Sequence, residues 1–207
     1  MYVKSLKRLF DVVGAAVLLV ALAPLMVGVA VVVWLVQGRP VLFRDERAGL
    51  NGERIGVTKF RSMRPPSETP AGLCTDEERL TPLGRFLRRT SLDELPQLFS
   101  VIRGDMSLVG PRPLPMRYVA RYTPRQATRL RVRPGLTGWA QIHGRNSIAW
   151  PERLEYDAQY VEMANRWWSP LLDLWIIAAT VVQVVWQAVT GRGVSSPGYA
   201  TMQEFAP

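Results

Sequence analysis

The chain has 207 residues, with 26 lysines and arginines against 17 aspartates and glutamates, a formal net charge of +9. A single cysteine, Cys74, excludes an internal disulfide framework, and one cysteine with one histidine excludes a structural zinc site; any metal must use oxygen ligands, which favours a hard ion such as magnesium. Apolar residues make up 48% of the chain and mean hydropathy is +0.03, which argues against a disordered or fibrous protein and leaves one moderate domain, or a small domain with a membrane segment.

The first element is apolar. From Val12 to Val36 there are 25 residues without a charge, roughly 37 Å as a helix at 1.5 Å per residue, against a hydrocarbon core of about 30 Å. Pro24 stands at its middle and predicts a kink. Lys4, Lys7 and Arg8 precede the segment and Arg39, Arg44 and Arg47 follow it, so the positive-inside rule gives no direction. Two geometries satisfy this pattern: a kinked spanning helix, and a bent helix that enters and leaves by one face. A signal peptide fits less well, because Asp11 interrupts the approach to the apolar core and Pro24 directly follows Ala21-Leu22-Ala23.

Val41–Arg44 and Ile55–Arg61 flank a Leu50-Asn51-Gly52 turn and read as a β-hairpin. Ser62–Thr75, with Pro65, Pro66 and Pro70, reads as a loop. Helical patterns follow at Pro82–Arg89, Asp93–Ile102, Pro115–Leu130 and Pro151–Ala164. In the last apolar stretch, Leu171–Thr190, the polar residues Asp173, Thr180, Gln183, Gln187 and Thr190 fall within an arc of roughly 100°. That pattern predicts a helix lying in an interface, with Trp167, Trp168, Trp175 and Trp186 at headgroup level; a buried core helix is the alternative. The fold class expected is α+β, mainly helical: a membrane helix over 1–38, a small domain with a β-hairpin over 39–166, and an interfacial amphipathic helix with a tail over 167–207.

Charge is unevenly spread. Residues 103–145 carry nine arginines, no lysine and one acid, Asp105. An arginine-only block favours phosphate, because the guanidinium offers a planar fork where lysine offers a point charge. Upstream, Ser91-Leu92-Asp93-Glu94 has the S-x-x-E spacing of a capping box opening the helix Leu95–Ile102. Capping alone would account for acids there. The same placement also suits a nucleophile, since two adjacent carboxylates can divide labour, one attacking phosphorus and one holding a metal. Arg112, in Gly110-Pro111-Arg112-Pro113, is fixed by prolines on both sides, as a rigid turn or a preorganised phosphate clamp requires. Arg133-Pro134-Gly135-Leu136-Thr137-Gly138 and Gly144-Arg145-Asn146 read as glycine-rich loops whose backbone can approach a ligand. No serine or cysteine motif makes His143 the base of a triad.

Together with Lys59-Phe60-Arg61-Ser62-Met63, Arg103-Gly104-Asp105-Met106-Ser107-Leu108-Val109 and Tyr156-Asp157, these motifs occur in the order seen in bacterial sugar transferases. The chain resembles a minimal monotopic phosphoglycosyl transferase along its whole length. The resemblance implies transfer of a sugar-1-phosphate from a UDP-sugar to undecaprenyl phosphate with release of UMP. It implies magnesium as cofactor, and membrane lipids, but not nucleic acid, as surroundings. Downstream glycosyltransferases would be further partners, and the location implied is the cytoplasmic face of the bacterial inner membrane. Asp93 matches the nucleophile that forms a covalent phosphosugar-enzyme, and Glu94 matches its magnesium-binding partner. Lys59, Arg88 and Arg112 match phosphate-handling positions, and Arg145 and Asp157 join them as candidate substrate-binding residues. The family's apolar helix is re-entrant, kinked by Ser-Pro, where this chain has Ala23-Pro24. The tail Gly193–Thr201 resembles short members that use UDP-N,N'-diacetylbacillosamine at the start of glycoprotein assembly. A membrane-tethered nucleic-acid binder and an adaptor without catalysis are the readings that the basic block would otherwise permit.

Overall fold

The computed structural model describes residues 2–65, 76–144, 148–190 and 205. The uncharged stretch forms α1 (Tyr2–Gln37), one helix that runs through Pro24. Polar residues at its two ends fasten it to the same domain. Arg8 donates to the carbonyls of Val101 (2.6 Å) and Ile102 (2.7 Å), and the buried Asp11 carboxylate accepts from Ser107 Oγ (2.9 Å) and Leu108 N (3.0 Å). At the far end Gln37 Nε2 donates to the Arg61 carbonyl (3.1 Å), and the Arg61 guanidinium donates to the carbonyls of Gln37, Gly38 and Arg39. A cation on the last carbonyls supplies what a helix C-terminus lacks. Between the anchors, Phe10, Ala15 and Leu19 join one apolar cluster and Met26, Val29, Ala30 and Val33 another; residues 20–25, around Pro24, join neither.

The hairpin forms as expected, with β1 (Leu42–Ala48) antiparallel to β2 (Arg54–Phe60) and Leu42 opposite Phe60. Its turn puts Asn51 and Gly52 at positive φ (55° and 79°), the conformation these residues tolerate best. β1 runs further than the sequence reading because Asp45, Glu46 and Arg47 lie on a two-stranded ribbon, where pairing with β2 outweighs their low strand preference.

Next come α2 (Asp76–Arg79) and α3 (Pro82–Arg89), the latter capped by Thr81 Oγ1 accepting from Gly84 N (2.9 Å). Gly84 sits so close to the Ser62 carbonyl that a Cβ would lie 1.8 Å from its oxygen, which brings α3 down onto the end of the hairpin. A 3₁₀ turn, Leu92–Glu94, leads into α4 (Gln97–Arg103). A short parallel pair follows, β3 (Ser107–Val109) with β4 (Gly135–Thr137). The expected helix Pro115–Leu130 is broken into a 3₁₀ turn Met116–Arg121, α5 (Pro124–Ala127) and a 3₁₀ turn Thr128–Arg131. Thr123 and Gln126 form a reciprocal capping box with Pro124 at the first position, so a new helix starts where the pattern reads as continuous. α6 (Trp139–Ile142), α7 (Trp150–Ala164) and α8 (Ser169–Thr190) complete the described elements.

The strands β3 and β4 correct the reading of Gly135 as a ligand loop. Gly110 N donates to the Thr137 carbonyl (2.8 Å) and Gly135 N to the Pro111 carbonyl (2.9 Å); a Cβ on Gly135 would lie 2.1 Å from Gly110 N. These glycines let backbone approach backbone, and so fix the Pro111-Arg112 turn.

α8 is turned inside out relative to a helix on a water-soluble surface. Its polar arc faces the protein: Asp173 and Gln187 are buried, Asp173 accepts from Lys7 Nζ (2.7 Å) and Tyr160 OH (2.9 Å), and Thr180 Oγ1 lies 2.6 Å from Thr137 Oγ1. Leu172 and Ile176 are buried beside that arc, and most of the helix's other large apolar residues face outward, Val182 at 69% and Val189 at 79% exposure. Among the described residues, 21 of the 26 exposed large apolar side chains lie on α1 and α8. Both helices are long and apolar enough to cross a membrane by length and composition, and an apolar surface of that extent marks a site of membrane or protein contact. The fold is α+β and mainly helical, with two two-stranded sheets among the described residues.

Candidate active site

Asp93 and Glu94 do not stand in a capping box. Ser91 has φ 56° and its side chain makes no capping hydrogen bond, and Pro96 holds the cap position of α4. Pro96 has no N–H to give the Leu92 carbonyl. Leu95 N takes that carbonyl instead (3.3 Å) and Glu94 N takes that of Ser91 (3.2 Å), so the two acids ride a 3₁₀ turn ahead of the α-helix.

That turn points the acids into a cluster of cations. Glu94 Oε1 accepts from Lys59 Nζ (2.7 Å), on β2, and from Arg112 Nη2 (2.6 Å); Arg112 Nη1 reaches Oε2 at 3.3 Å. Asp93 is 5% exposed and shares the field of Lys59, Arg88 and Arg112. Arg88, from the last turn of α3, donates through Nε to Ser62 Oγ (3.1 Å) and through Nη2 to Met63 Sδ (3.0 Å). The segment Lys59–Met63 therefore does three things: Lys59 meets Glu94, Arg61 closes α1, and Ser62 with Met63 orients Arg88.

The two carboxylates are pushed apart electrostatically. Burial raises the Asp93 carboxyl above its usual range and the Glu94 charge adds to this, with the three cations only partly opposing. Burial also works to raise Glu94, but Arg112 and Lys59 outweigh it and hold Glu94 well below the ordinary carboxylate range. The Glu94 contact in turn raises the Arg112 guanidinium, and burial lowers Arg88. Divergent environments for adjacent acids are the pattern by which two like groups take different roles.

A second layer lies behind Arg112. Arg129 donates through Nε to Asp157 Oδ2 (3.1 Å), through Nη1 to Tyr122 OH (2.9 Å) and through Nη2 to the Arg112 carbonyl (2.5 Å). Asp157 is 1% exposed and its carboxyl is raised by burial against the pull of Arg129 and Arg153. Arg153 is buried and lowered to about 10 by that burial. Three basic groups, Lys59, Arg88 and Arg112, thus surround the two acids Asp93 and Glu94, with Arg129, Arg153 and Asp157 behind them; Asp76 pairs with Arg79 (3.4 Å) and also acts on Arg88.

The structure thus brings together Asp93, Glu94, Lys59, Arg88 and Arg112. It sets Asp157 one residue behind, on Arg129 rather than on the acid pair, and Arg145 lies outside the described residues. His143 is stacked on Tyr156 (4.5 Å between ring centroids) and meets Trp139 at a tilt (4.4 Å). Arg129 and Arg153 are missed by the sequence reading. Arg153 has a detectable signal, its i,i+4 spacing to Asp157 on α7; Arg129 is one of nine arginines in the basic block and has none.

Among the described residues no group of three or more acidic, histidine or cysteine side chains could hold a metal by itself. Magnesium is commonly bound by one or two carboxylates with substrate phosphates and water completing its shell. Glu94 fits that pattern: its Oε2 has one 3.3 Å contact and a spare lone pair.

The chain matches the bacterial sugar transferase family over residues 2–187. It is 44% identical to an uncharacterized sugar transferase EpsL of Bacillus subtilis (strain 168), over 97% of this chain and 95% of that one. It is 41% identical to a UDP-glucose:undecaprenyl-phosphate glucose-1-phosphate transferase of Xanthomonas campestris pv. campestris, over 87% of this chain and 39% of the relative. A Caulobacter vibrioides (strain ATCC 19089 / CIP 103742 / CB 15) protein of the same description is 41% identical, over 84% and 68%. The chain spans about two fifths of the Xanthomonas relative and of the Escherichia coli (strain K12) protein of that description. The acid pair, its cationic clamp and the two outward-facing apolar helices are thus carried on a chain that belongs to the bacterial sugar transferase family.

Proposed function

We propose that this protein transfers a sugar-1-phosphate from a UDP-sugar to undecaprenyl phosphate, through a covalent intermediate on Asp93, at the cytoplasmic face of the bacterial inner membrane. The observation that carries this is the buried acid pair set among three cations, Lys59, Arg88 and Arg112, a setting matched to a substrate that brings a diphosphate. An Asp93 carboxylate oxygen attacks the sugar-linked phosphorus. The bond from that phosphorus to the bridging oxygen breaks, and UMP leaves with that oxygen. A phosphate oxygen of undecaprenyl phosphate then attacks the same phosphorus and expels the Asp93 carboxylate, giving the lipid diphosphosugar. Burial helps both halves, since a poorly solvated carboxylate is a better nucleophile and hydrolysis of the acyl phosphate is suppressed.

Lys59 and Arg112 are held by Glu94 before substrate arrives, already aimed at the place where phosphate charge must be met. Arg88 contributes from the Asp93 side. Magnesium, held by Glu94 and the diphosphate, would neutralise phosphate charge and ease departure of UMP. Attachment of both ends of α1 to one domain, with residues 20–25 in neither apolar cluster, favours a re-entrant helix over a spanning one.

Initial rates of UMP release, measured with magnesium and a panel containing UDP-glucose and UDP-N,N'-diacetylbacillosamine, test the proposal. The names of the relatives favour the first donor and the tail Gly193–Thr201, outside the described residues, favours the second. Release that requires undecaprenyl phosphate for multiple turnovers is expected. Silence across the panel, together with salt-sensitive nucleic-acid binding, would support the tethered-binder reading instead.

A further inference from the structure

We infer that Arg129 is a positioning residue for this reaction, setting the orientation of Arg112 through the Arg112 backbone carbonyl; the inference rests on the function proposed above. Arg112 carries its guanidinium on a short turn, Gly110-Pro111-Arg112-Pro113, that is tied to a strand on either side. Upstream, Gly110 and Pro111 are pinned to β4, and downstream the Leu114 carbonyl accepts from Ala48 N on β1 (2.9 Å). Between these ties Pro113 has no N–H to pair. The carbonyl of Arg112 lies in that gap, and Arg129 takes it at 2.5 Å.

Arg129 is itself held in three directions. Asp157 Oδ2 lies 3.1 Å from Nε and 2.9 Å from Nη2, and Tyr122 OH accepts from Nη1 at 2.9 Å. The residue is 4% exposed and Asp157 1%, so neither side chain is presented to solvent. A planar guanidinium can satisfy a carboxylate, a phenol and a carbonyl at once in fixed geometry; an ammonium cannot. The arrangement accounts for Asp157, an acid that stands in a motif without reaching Asp93 or Glu94: it orients the arginine that orients Arg112. Support of a reacting group by a second layer of hydrogen bonds commonly costs tenfold or more in activity when lost.

A role exerted through Arg112 has a signature that a merely structural role lacks, because residues acting as a unit give non-additive losses. The test is a double-mutant cycle on kcat/KM for UMP release by the membrane-reconstituted full chain, using wild type, Arg129→Lys, Arg112→Lys and the double variant. Arg129→Lys is expected to lose about tenfold, and the double variant is expected to be no slower than Arg112→Lys alone. Losses that multiply would overturn the inference, as would an Arg129→Lys enzyme of wild-type activity. If Arg129→Lys does not fold, Tyr122→Phe removes only the hydroxyl that accepts from Nη1. Its smaller loss must likewise vanish in the Arg112→Lys background, and persistence there overturns the inference. A wild-type enzyme that releases no UMP from any donor would instead remove the proposed function, a result separate from every arm of the cycle.

Discussion

Arg112→Lys keeps the charge and removes the fork. In the structure the guanidinium makes two contacts with Glu94, 2.6 Å from Nη2 to Oε1 and 3.3 Å from Nη1 to Oε2, and the same two prongs are those available to a substrate phosphate. An ammonium can replace one of them. A hydrogen bond to a charged group is worth about 1.5–3 kcal/mol, which at about 1.4 kcal/mol per decade predicts a loss of roughly 10- to 150-fold in kcat/KM. Folding should survive, because Glu94 keeps Lys59 at 2.7 Å and is not left as a lone buried charge. The assay is the initial rate of UMP release over a range of UDP-sugar concentrations, alongside a thermal melt of the same preparation. An Arg112→Lys enzyme within twofold of wild type would refute the assignment of Arg112 as a two-pronged clamp and leave the flanking prolines a structural role only.

Other consequences follow from the same geometry. Glu94→Gln removes the charge that helps raise Asp93 and leaves Lys59 and Arg112 unneutralised beside it; both changes favour the ionised form, so the acid limb of the kcat/KM profile should move to lower pH while turnover falls, and a limb that stays or moves upward contradicts the assignment. Asp11→Ala leaves the buried Leu108 N–H without its acceptor, a cost of about 2 kcal/mol, so the melting temperature in detergent should drop by roughly 5 °C; an unchanged melt would show the anchor to be idle. In a Cys74→Ser background, cysteines introduced as Lys4→Cys and Arg44→Cys should both be modified by an impermeant maleimide only from the cytoplasmic side, and labelling of either from the periplasm excludes the re-entrant helix.

Much of this was legible in the residues. The apolar run, the hairpin around Asn51-Gly52, and the helices at Pro82–Arg89 and Pro151–Ala164 follow from periodicity and turn chemistry, which are local. The polar arc of α8 was legible too, although its direction, toward the protein, became plain only from its contacts with Lys7, Tyr160 and Thr137. What failed were cases where one residue overrode a pattern. Pro96 turned a capping box into a 3₁₀ turn, and the Thr123 cap split an apparent helix. The parallel pair β3 and β4, three residues each, carries too little pattern to be found. In the candidate site, the motif residues Lys59, Arg88, Asp93, Glu94 and Arg112 converge although up to 53 positions separate them. The second layer stayed hidden because Arg129 acts through a backbone carbonyl, which no side-chain spacing records.

A bond from Asp93 to phosphorus is detected by intact-mass analysis of the enzyme after incubation with UDP-sugar and magnesium, without lipid acceptor. One phosphosugar should be added per chain, with UMP released only up to the amount of enzyme and no adduct on Asp93→Asn, a variant that keeps the size of the side chain and should still fold. A wild-type enzyme that turns over with lipid yet never gains the adduct, or an Asp93→Asn enzyme that remains active, would exclude that bond.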